Sequence, residues 1–243
     1  MSGLYCPRIH RQSGFSLIEL MIAMLIGLFL LFGVVQIFMG SRLTYQAHEG
    51  IGRIQENGRF AIEIMSRQVR MAGFRSQPLS GTSLAAVNGR NNVAAGGTDN
   101  ALAGTDKLIL VYQGATDGGT TNCLGNAVTA NATTTVVFLV DANRTLRCAV
   151  DPANIDEAVG QPILEGVSDM QLLFGEQTID SSTNPPTRSY RYVTANNVTT
   201  WGSVISVRIQ LSVDSVETFN PDLPDDGRLA LPYSTTVTIR NRT

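Results

Sequence analysis

At 243 residues the chain is long enough for one good-sized globular domain with an N-terminal extension, and its length does not require two cores. Charged residues make up 16% and the formal net charge is -2, so there is no basic field to hold a nucleic-acid backbone, and no direct nucleic-acid binding is expected. Apolar residues make up 43%, yet they crowd between Phe15 and Met39, while the remainder is rich in Thr, Asn, Ser and Gly.

From Leu20 to Ser41 no residue is charged, and Gln36 is the one strongly polar interruption of the apolar run. Roughly 20 such residues cross a hydrocarbon core of about 30 Å, which predicts a membrane span. Arg8 and Arg11 precede the run, and Met1 to Gly14 holds no Asp or Glu, so the positive-inside bias puts the N-terminus in the cytoplasm and the rest beyond that membrane. A cleaved secretory signal has an apolar region of about 7 to 15 residues followed by an A-x-A-like site. Neither feature is present. Gly27 and Gly33 lie inside the span, where small residues let helices approach closely. Glu19 lies at its edge, and a carboxylate at the middle of a bilayer costs about 2.5 to 3.5 kcal/mol, so this acid demands a partner.

The stretch Gly14-Phe15-Ser16-Leu17-Ile18-Glu19-Leu20-Met21-Ile22-Ala23 resembles the signal of type IV prepilins, which a peptidase cuts after the glycine on the cytoplasmic side before methylating the new N-terminal phenylalanine. The resemblance implies cleavage between Gly14 and Phe15 and N-methylation of Phe15. It also implies that Glu19 neutralises an N-terminal amine. That amine is either its own, one helical turn away where the helix dipole favours an acid, or a neighbour's in a filament of parallel helices. Major pilins usually carry a proline in this region; none is present, which fits either a minor subunit or an ordinary membrane helix with glycines at Gly27 and Gly33.

Beyond Ser41, Ile51, Ile54, Ala61 or Ile62, Met65 and Val69 recur at steps of three and four, with Arg53, Glu56, Arg59, Glu63 and Arg67 between them. This predicts that the helix continues with one apolar stripe laid against a sheet, and Gly50, Gly52 and Gly58 are candidate positions for a bend. Gln55-Glu56-Asn57-Gly58-Arg59-Phe60-Ala61 and Arg70-Met71-Ala72-Gly73-Phe74 resemble elements of the PilW family of minor pilins, and Gly73 reads as a helix stop.

Arg75 to Asp106 is rich in Gly, Ser, Asn and Ala and reads as either a long exposed loop or a locally disordered stretch. Strands are predicted at Lys107 to Tyr112, Thr134 to Val140, Thr145 to Val150, Val167 to Phe174, Ser189 to Val193, Val204 to Val213 and Thr235 to Arg240. Alternation is clearest where Ile205, Val207, Ile209, Leu211 and Val213 share one face. The expected fold is α+β and pilin-like: a long N-terminal helix on a mainly antiparallel sheet. Gly166 to Leu172, Arg191-Tyr192-Val193 and Thr236 to Asn241 again resemble PilW-type pilins. The expected layout is a leader over 1–14, a membrane and assembly helix over 15–40, an amphipathic helix over 41–74 and a periplasmic β-rich head over 75–243.

Of three cysteines, Cys6 would leave with the leader, and Cys123 and Cys148 remain as a pair. In an oxidising periplasm they are expected to form a disulfide, two free thiols being the alternative. No catalytic constellation is apparent. His10 lies in the leader and His48 stands alone, and the metalloprotease, hydrolase-elbow and P-loop motifs are missing. No enzyme activity, cofactor or metal is expected. The acidic stretch Asp222, Asp225, Asp226 and Gly227 offers oxygen ligands of the kind Ca²⁺ takes, but a solvated turn is the favoured reading.

The leading expectation is a type IV pilus minor pilin that is incorporated in the pilus or primes its assembly, with consequences for twitching motility, adhesion and DNA uptake. Its partners are other minor and major pilins, the prepilin peptidase, the inner-membrane assembly platform and the bilayer. The alternatives are the J pseudopilin of type II secretion and a membrane-tethered adhesin or binding module. Internal elements at Gln55 and Gly166 lean toward PilW.

Overall fold

The computed structural model describes residues 14–76, 86–95, 97–182, 184–215 and 227–241. The leader residues Arg8, Arg11, Cys6 and His10, and the acidic residues Asp222, Asp225 and Asp226, lie outside the described residues.

The chain opens with one helix, α1, Leu17–Met71. It falls into two compact units, residues 1–48 and residues 49–243, so the helix contributes to both. In the first unit the helix is long and apolar enough to cross a membrane. In the second it carries the predicted stripe: Ile54, Ala61, Met65 and Val69 are all buried. The helical assignment runs unbroken through Gly50, Gly52 and Gly58. Gly58 is a notch: a Cβ there would collide with the ring of Tyr233, whose hydroxyl donates to the Ile54 carbonyl at 3.3 Å. The helix stops where Gly73 takes φ 75°, in the left-handed region that glycine adopts without strain. The Asn241 side chain then donates to the Arg70 carbonyl at 3.1 Å, satisfying one of the orphan acceptors of the last turn.

The head holds nine described strands in two antiparallel sheets, where the sequence predicted one. The first sheet has the order β1-β2-β3-β4-β5, formed by Val87–Arg90, Lys107–Gln113, Thr133–Val140, Thr145–Val150 and Gln161–Glu165. The second has the order β7-β6-β8-β9, formed by Thr187–Val193, Val167–Asp180, Val204–Asp214 and Ala230–Thr238. One core joins residues 49–71 of the helix to the inner faces of both sheets. It includes Met65, Val69, Tyr112, Phe138, Phe174, Ile209 and Val237.

Two strands escaped prediction for different reasons. β1 contains Asn88 and Gly89, poor strand formers, and is held by its pairing with β2. Its glycine lies under the Phe174 ring, where no side chain fits. β5 contains Pro162 and β9 contains Pro232, and both are edge strands, where a missing N–H costs no ladder bond. For that reason the last strand begins at Ala230, before Pro232, and ends at Thr238, not Arg240.

A smaller apolar cluster of Ala101, Ile109, Val137, Leu139, Ala149 and Ala158 lies on the far face of the first sheet. β2 and β3 are therefore buried on both faces and read as near-continuous apolar runs.

Candidate functional site

The N-terminal segment carries the sequence-predicted assembly residues. Gly14, Phe15 and Ser16 precede the helix in an irregular segment, and Phe15 is 88% exposed. The Ser16 carbonyl accepts the Glu19 and Leu20 N–H groups at 3.0 and 3.2 Å, which starts the helix. Ser16-Leu17-Ile18-Glu19 has the spacing of a capping box, a signal that places an acid at the third helical position, where exposed N–H dipoles favour it. Glu19 itself is exposed. Every large apolar residue from Leu17 to Met39 is more than half exposed. A stripe of this size is never left to water; it marks a surface that meets lipid or other helices.

In the head, Cys123 and Cys148 are joined by a disulfide with Cα atoms 6.5 Å apart. Cys148 lies in β4 and Cys123 in the loop between β2 and β3, so the bond ties residues 114–132 to the first sheet. The loop is also held to the helix. Tyr112 donates to the Gln68 carbonyl oxygen of the side chain at 2.7 Å, and the Gln68 amide donates to the Thr121 carbonyl at 3.4 Å. Burial pushes the Tyr112 phenol well above its ordinary value, so it acts as a neutral donor.

Sequence reasoning missed the buried carboxylates that organise the head. Glu176, in β6, is 2% exposed and accepts from the Thr199 and Thr200 N–H groups, both at 3.0 Å, and from Arg191 at 2.9 Å. Burial raises its pKa, but the Thr200 N–H, the Arg191 guanidinium and the Ser203 hydroxyl together outweigh that and hold it below its ordinary value. Asp214 receives Arg144 at 3.1 Å and Ser168 at 2.6 Å, linking β8 to the β3–β4 hairpin. Asp141 receives Arg147 at 2.8 Å. Glu176 and Asp214 have partners 15 to 70 residues away, which no local motif signals, whereas Asp141 is held within its own turn by the Asn143 and Thr145 N–H groups and by Arg147. Among the described residues no group of His, Cys, Asp and Glu is arranged to hold a metal ion.

Residues 9–35 match the family model of the prokaryotic N-terminal methylation motif, and residues 127–241 match that of the type IV pilus-assembly protein W, PilW. Among solved structures, a type IV-like pilin from Thermus thermophilus is similar at 14% identity and a TM-score of 0.43, over 78% of this chain and 97% of that one. No curated protein matches the chain. A methylation motif at the head of an exposed apolar helix, followed by a β-rich head, defines a type IV pilin-like subunit. Over residues 127–241, most of the strands of that head, the chain is similar to the PilW family of type IV pilus-assembly proteins.

Proposed function

We propose that this chain is a minor pilin of the PilW type, cut between Gly14 and Phe15 by a prepilin peptidase, methylated on Phe15, and incorporated in a type IV pilus or priming its assembly. In this reading residues 1–14 are the leader and residues 15–40 hold the subunit in the inner membrane with its N-terminus cytoplasmic. Residues 41–74 lead into a periplasmic head, residues 75–243. Glu19 neutralises the Phe15 ammonium of an adjacent subunit and so sets the stagger between neighbours. The partners are other minor and major pilins, the peptidase, the assembly platform and the bilayer. Twitching motility, adhesion and DNA uptake are the processes the subunit serves, and its role is structural, not enzymatic.

The observation that carries this reading is the state of the first helical turns. Phe15 and Glu19 are exposed at the start of a helix whose large apolar residues are themselves exposed, so their partners must come from lipid and from other chains. The test is Gly14→Val in the native host. Full-length precursor is expected to accumulate in the membrane and surface pili to fall to background, while the disulfide-bonded head stays folded. Mature protein beginning at Phe15, or normal piliation in that variant, would overturn the reading.

A further inference from the structure

Lys107 is the only lysine among the 18 basic residues of the chain. It is also one of the most buried polar residues of the head. It opens β2 on the far face of the first sheet, and its side chain is 3% exposed in direct contact with the Asp99 carboxylate, itself 4% exposed. We propose that these two side chains condense into an intramolecular amide, an isopeptide bond between Lys107 Nζ and Asp99 Cγ.

The choice of cation points this way. Arg is the residue suited to a buried ion pair, because its planar guanidinium satisfies a carboxylate through two donors. This chain follows that rule elsewhere: Asp141, Asp214 and Glu176 are each buried and each met by an arginine, Arg147, Arg144 and Arg191. Asp99 alone among these buried carboxylates is met by an amine. A guanidinium is a poor nucleophile, whereas an amine forms an amide.

The hydrogen-bond inventory agrees. An ammonium has three donors, and among the described residues Lys107 Nζ has two partners: Asp99, and the Asp156 backbone carbonyl at 2.9 Å. An amide nitrogen has one donor, which the Asp156 carbonyl satisfies. The remaining carboxylate oxygen, Asp99 Oδ1, becomes the amide oxygen and keeps the Ala101 N–H at 3.3 Å. A buried ammonium and carboxylate both carry a heavy desolvation cost, and condensation removes both charges together. In the step the Nζ–Cγ bond forms and one Cγ–O bond breaks. Two of the three ammonium protons leave with that oxygen as water, and no oxidant or other reactant is consumed. A cavity of about 250 Å³ lined by Arg90, Gly97, Asp99, Lys107 and Asp156 adjoins both side chains and has room for the departing water. Val93 and Ile155 pack against the apolar cluster beside the pair.

The bond would close the Asp99–Lys107 loop onto the first strand pair of the sheet, where Lys107 faces Arg90 across the β1–β2 ladder. The test is mass spectrometry of the full mature chain, purified in detergent, reduced and denatured. The expected mass is one water below that calculated for the processed chain, with its leader removed and its N-terminus methylated. Trypsin is expected to leave residues 91–144 as one fragment that carries the deficit, because the acylated Lys107 is no longer a cleavage site. Lys107→Arg is expected to restore both full mass and cleavage after position 107. A full-mass wild-type chain cut after Lys107 overturns the proposal, as does a water deficit that maps elsewhere or persists in Lys107→Arg.

Discussion

The two parts of α1 are equally helical, but the first is apolar on every face and the second along one stripe, and they treat those side chains in opposite ways. From Leu17 to Met39 every large apolar side chain is more than half exposed, whereas Ile54, Ala61, Met65 and Val69 are at most 1% exposed. The difference teaches where each part finds its partner. The second part finds it in the chain's own sheets; the first has to find it in lipid or in other subunits. Stability of the head and competence for assembly are therefore expected to separate when residues are changed one at a time.

The sharpest separation pairs Met65→Ala with Leu31→Ala. Met65 is fully buried in the main core, and truncating it removes contacts and leaves a cavity, an effect of about 2–5 kcal/mol. Leu31 is 67% exposed, so its truncation is expected to leave the head's unfolding midpoint where it was. Urea denaturation in detergent, followed through the fluorescence of Trp201, reads this directly. Trp201 is the single tryptophan and packs edge-on against Phe174 at 5.0 Å. Equal midpoints for the two variants would break the comparison.

The carboxylates repeat the contrast. Glu176 is satisfied inside the head, and Glu19 is exposed with no partner of its own chain in the described contacts. Glu176→Gln is expected to destabilise the head by about 1–3 kcal/mol, toward the lower end because Arg191 is 56% exposed and its pairing is screened. Glu19→Gln is expected to leave the head unchanged and to reduce piliation. The Glu176 effect also has a pH signature. Its folded pKa lies below the ordinary 4.5, so the unfolded chain binds the proton first as pH falls. The stabilisation is complete above that ordinary value and is lost as pH drops through the depressed one. The gap between wild type and Glu176→Gln is thus expected to be constant near neutrality and to close below about pH 4.5.

What was legible in the sequence follows the same division. The N-terminal signal is a local arrangement, Gly14, Phe15 and Glu19 within six residues, and the span is a matter of composition, so both could be read directly. The strands with regular alternation, such as Val204–Asp214, were also visible. The second sheet was not, because which strands share a sheet is decided by long-range register and by core packing. β1 and β5 were hidden because their residues, Asn88, Gly89 and Pro162, are tolerated only at the positions that tertiary pairing gives them. Glu176 and the Lys107–Asp99 pair draw on residues separated by turns and strands, and the one clue in the sequence was the solitary lysine.

The glycines of the helix give the finest version of the comparison. Gly52 and Gly58 lie on different faces of the same helix, and sequence alone treats them alike as weak points. Around Gly52 there is open space, so Gly52→Ala is expected to gain up to about 1 kcal/mol from helix propensity alone. Gly58→Ala brings the same propensity gain but drives a methyl group into the Tyr233 ring, and over-packing of this kind costs about 1–3 kcal/mol. The ring cannot simply turn away without giving up its hydroxyl's bond to the Ile54 carbonyl and its place at the edge of the core. Gly58→Ala is thus expected to unfold at lower urea than wild type and Gly52→Ala at higher. Combining Gly58→Ala with Tyr233→Ala removes the collision, so adding Gly58→Ala to a Tyr233→Ala chain is expected to raise its midpoint. If Gly58→Ala still lowers the midpoint once the ring is gone, the glycine of the Gln55–Ala61 element answers to something other than close packing of the helix on β9.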